Sequence, residues 1–327
     1  MTTKIKRGVS LYSLQEEFFL RKLTLEQCIA EMSRLDIRGI ETIAEQMMPG
    51  YPNLPDGFYE QWHGWMKQYG TVPTAHDMFL DTKLHRDRPL SLEESVESLK
   101  VDIRHAAKLG CFVIRVLVTT PPEVVEAAAP YAIDHGITLA LEIHSPWDWD
   151  DEHIQRHLEV ADRVGVEHVG VMPDMGIYVR RFPRVIWQRA LRDGATPAIV
   201  DQIVERYDNR DTATIVEDVE RLGGNPADVN LARTSTHFIC SDPKLLLDHL
   251  PAVHHIQAKF YEMTTVDGLD EEYSIPYPEI IAILKRGDWD GYLSSEYEGN
   301  RHIQDAFEVE SVDQVRRQHA MFTRLLG

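Results

Sequence analysis

Three acidic side chains stand at or just beyond the ends of short apolar runs in this chain. Glu142 sits near the end of Ile137-Thr138-Leu139-Ala140-Leu141-Glu142-Ile143, Asp174 follows the run 166–172 and Pro173, and Glu296 closes 291–296. An acid at the end of a buried strand is costly unless a cation or hydrogen-bond donors receive it. Taken singly, each reads as a salt-bridged strand end. Three of them in one cavity would repel one another strongly, so a divalent cation among them is close to required. The run 253–260 adds His255, Gln257 and Lys259 at alternate positions, which share one face of an extended segment. Two glutamates, an aspartate and an amide or imidazole make a hard, oxygen-rich donor set. Such a set suits Mn2+, with Mg2+ or Co2+ as substitutes, better than structural zinc. His144 lies two residues beyond Glu142 on the same strand face. An imidazole there is placed either to take a proton from a substrate or to orient a ligand.

Alternating helices and strands must bring these groups together. Strands are expected at 7–12, 39–43, 72–77, 112–118, 137–143, 166–172, 253–260 and 291–296. Between them lie helical patterns: Thr24 caps 25–35, a Ser91/Glu94 capping box opens the helix that ends before Gly110, and Pro121-Pro122 starts 123–134. Eight such alternations predict an α/β fold, a (β/α)8 TIM barrel, in which residues at the carboxyl ends of the strands converge on one cavity. The segment 182–231 breaks the cadence and reads as an extra helical excursion after the sixth strand, a usual position for lids and substrate loops. A doubly wound open sheet is the competing architecture, but no GxGxxG follows the first strand and no GxxxxGK[ST] occurs. No Ser/Gly/Pro-rich linker divides the chain, so 1–327 is read as a single domain with 182–231 inserted in it.

Composition narrows the classes. The 327 residues are 43% hydrophobic and carry a formal net charge of -19, which disfavours nucleic acid and anionic membranes as partners. Three separated cysteines show no CxxC pairing and fit a reducing, cytoplasmic setting. Met1-Thr2-Thr3-Lys4 leads straight into the first strand, without a signal peptide, and no apolar run nears the roughly 20 residues that span a bilayer.

The other candidates have plain structural readings beside their functional ones. Lys259 is a substrate clamp or a salt bridge to one of the acids. Arg115, His76, Asp77 and Tyr12 contact a bound ligand or form buried ion pairs. His254 should face the helices, opposite to His255. His237 adjoins the extra segment, and Trp147 and Trp149 either pack a loop or offer an aromatic platform to a ligand.

At Leu139-Ala140-Leu141-Glu142, Pro173-Asp174-Met175-Gly176, His255-Ile256-Gln257-Ala258-Lys259 and Leu293-Ser294-Ser295-Glu296-Tyr297-Glu298-Gly299 the chain resembles the xylose-isomerase-like sugar isomerases and epimerases, over nearly its whole length. The resemblance implies one divalent ion held by Glu142, Asp174, a third ligand and Glu296. The family's third ligand is usually a histidine, and here that position is Gln257. A glutamine carbonyl can serve a hard ion, so Gln257 is placed in the shell with His255 in reserve. The Gln257 departure together with Glu142-Ile143-His144 looks most like the large subunits of C-glycoside deglycosidases. That likeness implies a metal-dependent lyase acting on 3-oxo-C-glycosides, with His144 taking the C2 proton, and a small second subunit. Substrate-binding roles would then fall to Lys259, His255 and Arg115. The alternative is a ketose 3-epimerase or sugar isomerase, motivated by Glu142 and Glu296 alone. Similar barrels also host endonucleases of abasic DNA, which the net charge disfavours.

Overall fold

The computed structural model describes residues 4–327; the expected lead-in at 1–3 lies outside the described residues. The strands are β1 (Lys6–Ser10), β2 (Gly39–Thr42), β3 (Val72–Met78), β4 (Val113–Val116), β5 (Thr138–Ile143), β6 (Val169–Pro173), β7 (Ile256–Phe260), β8 (Met263–Val266), β9 (Leu269–Glu272) and β10 (Tyr292–Tyr297). Eight of them pair in parallel in the order β6-β5-β4-β3-β2-β1-β10-β7. Single parallel bridges, Val171 with Val253 and Asp174 with Gln257, join the two end strands and close the ring. The fold is a TIM barrel, with helices between successive strands. Strands β8 and β9 form a separate antiparallel hairpin beyond β7. Tyr12, expected at the end of the first strand, sits instead in the short 3-10 turn Leu11–Leu14 beyond it.

The local signals act as read. Thr24 and Gln27 form a reciprocal capping box on Leu25–Arg34, and Ser91 and Glu94 do the same on Leu92–Leu109. Between β6 and β7 run the helices Arg184–Arg192, Pro197–Asp208, Ile215–Arg221 and Pro226–Thr236, so helical structure continues past 231. Buried Asp228 ties two of them, accepting hydrogen bonds from the Thr196 backbone N–H and hydroxyl and from the Asn225 N–H. The Tyr207 hydroxyl, donating to the Val179 carbonyl at 2.9 Å, fastens this segment to the chain that leaves β6. Among the described residues no helix is long and apolar enough to cross a membrane.

Strand alternation sorts the barrel interior. Ala75, Val113, Ala140 and Met172 form an apolar cluster of their own, separate from the core between sheet and helices. Two residues further along the same strands, on the same face, come Asp77, Arg115, Glu142 and Asp174. On the facing wall a Cβ at Gly39 would stand 2.6 Å from the Tyr292 ring, so only glycine leaves room for that ring. The neighbour of Asp77 points outward: His76 lies 3.0 Å from Asp102 and 3.1 Å from the Thr42 hydroxyl, behind the wall and away from any substrate. His254 likewise faces outward, to the Val166 carbonyl at 2.5 Å.

Two buried histidines give the scaffold a pH dependence. Burial pushes His157, bonded to the Thr120 carbonyl, down to about 4, and His319, bonded to the Ser295 hydroxyl, down to about 3. A folded state that binds fewer protons than the unfolded chain loses stability as pH falls below about 6.5, by about 1.4 kcal/mol per pH unit for each such group. Glu272 opposes this, because burial raises it to about 7 and its contribution grows as pH falls toward the ordinary carboxylate range. Removing one depressed histidine takes away its share of the loss, so between about pH 6.5 and 5 the urea midpoint of His319→Gln is expected to fall less, or rise more, than that of wild type; an unchanged slope in that variant would contradict the assignment.

Candidate active site at the carboxyl ends of the strands

Five acids face the inside of the barrel, all buried: Glu41, Asp77, Glu142, Asp174 and Glu296. Two permanent cations stand among them. Arg115 lies 3.5 Å from Asp77 and 3.5 Å from Glu142, with its guanidinium 4.7 Å from the centre of the Phe79 ring. Lys259 lies 2.6 Å from Asp174 Oδ2 and 3.5 Å from Glu296 Oε2. The expectation that only a divalent ion makes these acids tolerable is thus corrected: side chains supply part of the compensation. They do not supply all of it. Burial, with Arg115 opposing, pushes Asp77 well above the usual carboxylate range, and burial with Asp174 nearby does the same to Glu296 against Lys259. Burial also works against the charge of Glu142, yet the Arg115 guanidinium and the Lys259 ammonium hold it below that range.

Asp174 is fixed by its own turn. Its Oδ1 accepts the Gly176 N–H at 2.6 Å, and a Cβ at Gly176 would meet that oxygen at 2.9 Å and Lys259 Cδ at 3.1 Å. Pro173-Asp174-Met175-Gly176 is therefore a cradle for one carboxylate and one lysine stem.

His144 is half-exposed at the mouth, and its neighbours define its tautomer. Nδ1 lies 2.6 Å from the Ser145 carbonyl, which can only accept, so Nδ1 carries the proton. Nε2 lies 3.0 Å from the Lys259 ammonium, which can only donate, so Nε2 presents its lone pair. The same nitrogen is 3.7 Å from Asp174 Oδ2. The Ser145 hydroxyl donates to the His237 carbonyl at 2.7 Å and accepts from the Ile239 N–H, so the end of the extra helical segment is tied to the residue after His144. The His237 side chain itself is exposed.

Deeper in the barrel, Glu41 of β2 organises the wall that β7 lines. Gln257 Nε2 donates to Glu41 Oε1 at 3.0 Å, and His255 Nε2 lies 2.8 Å from Glu41 Oε2 and 2.7 Å from the Ser294 hydroxyl. His255, expected as a substrate contact or reserve ligand, is fully buried and engaged with Glu41 and Ser294. Glu41 itself was missed by motif reasoning, although an acid at an alternate position to Gly39 in an apolar strand was the available signal.

Other candidates separate cleanly. Trp149 is buried, donates to the Tyr178 hydroxyl at 3.1 Å and stacks on His249 at 4.5 Å, so it packs the loop and offers no platform. Tyr12 lies under the Arg301 guanidinium, 4.9 Å from ring centre to cation, and Arg301 pairs with Glu298.

The donor chemistry fits a hard divalent ion. Gln257 Oε1 and Glu296 Oε2 are buried without a hydrogen-bond partner, and Asp174 Oδ2 has the ion pair with Lys259 alone. Buried polar atoms in this condition call for a partner. Among the described residues no three His, Cys, Asp or Glu side chains form a ready-made cage, and the only uncharged donor in the set, Gln257, is an amide.

An acid-rich barrel mouth with a lone-pair imidazole beside it defines a class of TIM-barrel enzyme site. The chain belongs to the xylose isomerase-like TIM barrel family, whose pattern matches residues 29–324. It is 28% identical to the 3'-dehydrocarminate deglycosidase alpha subunit of a Microbacterium species, covering 98% of this chain and 95% of that one. It is also 28% identical to the C-glycoside deglycosidase alpha subunit of Microbacterium trichothecenolyticum, covering 96% and 89%. Both relatives are enzymes by name, and each is named as one subunit of a larger assembly. Among solved structures, D-psicose 3-epimerase matches with a TM-score of 0.56 at 12% identity over 98% of this chain and 99% of that one. L-ribulose 3-epimerase matches with a TM-score of 0.57 at 12% identity over 98% and 94%. At that identity the two epimerases speak for the fold alone.

Proposed function

We propose that this chain is the large subunit of a metal-dependent lyase that cleaves the carbon–carbon glycosidic bond of 3-oxo-C-glycosides. The observation that carries the reading is the tautomer of His144, whose Nε2 lone pair is held toward the acid-lined cavity by the Ser145 carbonyl behind it. The names of the deglycosidase relatives supply the substrate class. Glu142, Asp174, Gln257 and Glu296 would hold a divalent ion, Mn2+ first, with Mg2+ or Co2+ as substitutes. Bound there, such an ion supplies Lewis acidity toward the 3-oxo oxygen and its neighbouring hydroxyl, which makes the C2 proton acidic.

This chain's residues then carry the proton. His144 Nε2 takes it from C2, and the C–H bonding pair becomes the C1=C2 double bond of the sugar enone. The pair from the broken C1–carbon bond leaves with the aromatic aglycone, which takes up a proton at that carbon. Lys259, 3.0 Å from Nε2, is placed to hold a substrate oxygen beside the transferred hydrogen, and Arg115 keeps Glu142 ionised. Nothing in this sequence of steps needs an oxidant. A small second subunit completes the assembly.

The test incubates the coexpressed complex with Mn2+ and several 3-oxo-C-glucosides. Aglycone release is the expected result, and none from any substrate would overturn the reading. One observation favours a second reading, a ketose 3-epimerase or sugar isomerase: Glu142 and Glu296 are pushed in opposite directions, as a paired base and acid would be. Solvent deuterium appearing at C3 of free hexuloses would select it.

A further inference from the structure

Gln257 presents a problem of orientation that its neighbour solves. A glutamine amide can turn either its carbonyl oxygen or its NH2 toward a cavity, and only the oxygen can bind a cation. Gln257 is fully buried, and its Nε2 lies 3.0 Å from Glu41 Oε1. Glu41 is itself fully buried, with its other oxygen on His255 Nε2 at 2.8 Å. A carboxylate whose two oxygens both accept cannot face an amide carbonyl, because two acceptors would then be set against each other. The reverse turn of the amide is excluded, and Gln257 Oε1 is left buried with no hydrogen-bond partner. On the neighbouring strand end its register partner is Asp174.

We propose that Glu41 is a positioning residue that clamps the Gln257 amide so that its carbonyl oxygen, never its NH2, faces the cation site. The proposal rests on the metal-dependent reading above and adds to it a requirement for an acid on β2 that would touch neither ion nor substrate. It also explains how an amide can stand where a histidine is usual: in both cases the ligand atom is fixed by what the other end of the side chain donates to.

Calorimetric titration of the purified chain with MnCl2 reads this without any turnover. Wild type is expected to bind. Glu41→Gln, nearly the same shape, frees the Gln257 amide to turn and should weaken Mn2+ binding about 10–100-fold. Gln257→Met should weaken it comparably. The double variant should bind no more weakly than Gln257→Met alone, because without the amide Glu41 has nothing to orient. A Glu41→Gln variant that binds like wild type, or losses that multiply in the double variant, would overturn the proposal while leaving the metal reading intact. A wild-type chain that takes up no Mn2+ would overturn both. Should Glu41→Gln fail to fold, a crystal structure of the Mn2+-loaded wild type decides. Gln257 Oε1 on the ion with Nε2 on Glu41 supports the clamp; Glu41 on the ion, or Gln257 turned away, refutes it.

Discussion

His144→Ala is expected to slow aglycone release about 10²–10⁴-fold, the usual contribution of a general base, while leaving Mn2+ affinity within a few-fold of wild type. The split between the two readouts follows from geometry. Nε2 contacts Lys259 at 3.0 Å and lies 3.7 Å from Asp174, so the imidazole sits beside the acids without belonging to the oxygen set. Its half-exposed position also means that removal opens space to solvent and leaves no buried cavity. Turnover at saturating Mn2+ and a parallel metal titration check it. If metal binding disappears with activity, the imidazole is a ligand and the proton must go elsewhere.

Asp174→Asn is expected to abolish Mn2+ uptake and to destabilise the metal-free protein by about 3–5 kcal/mol, the cost of breaking a buried ion pair. Asp174 is fully buried, with Oδ1 on the Gly176 N–H and Oδ2 on the Lys259 ammonium. An asparagine can satisfy one of these with its single carbonyl oxygen, and its NH2 then faces the other donor. Lys259 would retain Glu296 at 3.5 Å as its remaining partner of opposite charge, burying a poorly matched ammonium. Denaturant unfolding with and without MnCl2, together with elemental analysis, measures both effects. Excess Mn2+ should stabilise wild type and leave the variant unmoved; full occupancy in the variant would remove Asp174 from the ion's shell.

The barrel was legible because its signals are local. The cap at Thr24, the capping box at Ser91, a glycine after Leu109 and alternation between apolar runs and helical patterns each depend on neighbours within a few residues. The strand-end acids were legible for the same reason, since Glu142, Asp174 and Glu296 announce themselves against apolar sequence. What remained hidden depends on distant partners. Glu41 acquires its role from Gln257 and His255, more than 200 residues away in the chain. Trp149 is taken out of the site by His249, and the charge balance turns on where Arg115 and Lys259 aim. His76 and Asp77 show how narrow the margin is: adjacent residues on one strand, one faces Asp102 behind the wall and the other faces Arg115 within it. The helical segment after β6 was recognised by composition, but its last helix runs to Thr236 and its link to Ser145 could not be read from periodicity.

Anomalous scattering from crystals grown with Mn2+, collected at the manganese edge, tests the central claim most directly. The expected map has one strong peak at the carboxyl ends of β5, β6, β7 and β10, ringed by oxygens of Glu142, Asp174, Gln257 and Glu296, with His144 beside it and unbound. A map without a peak there, in which Lys259 and Arg115 still hold the acids between them, would contradict it.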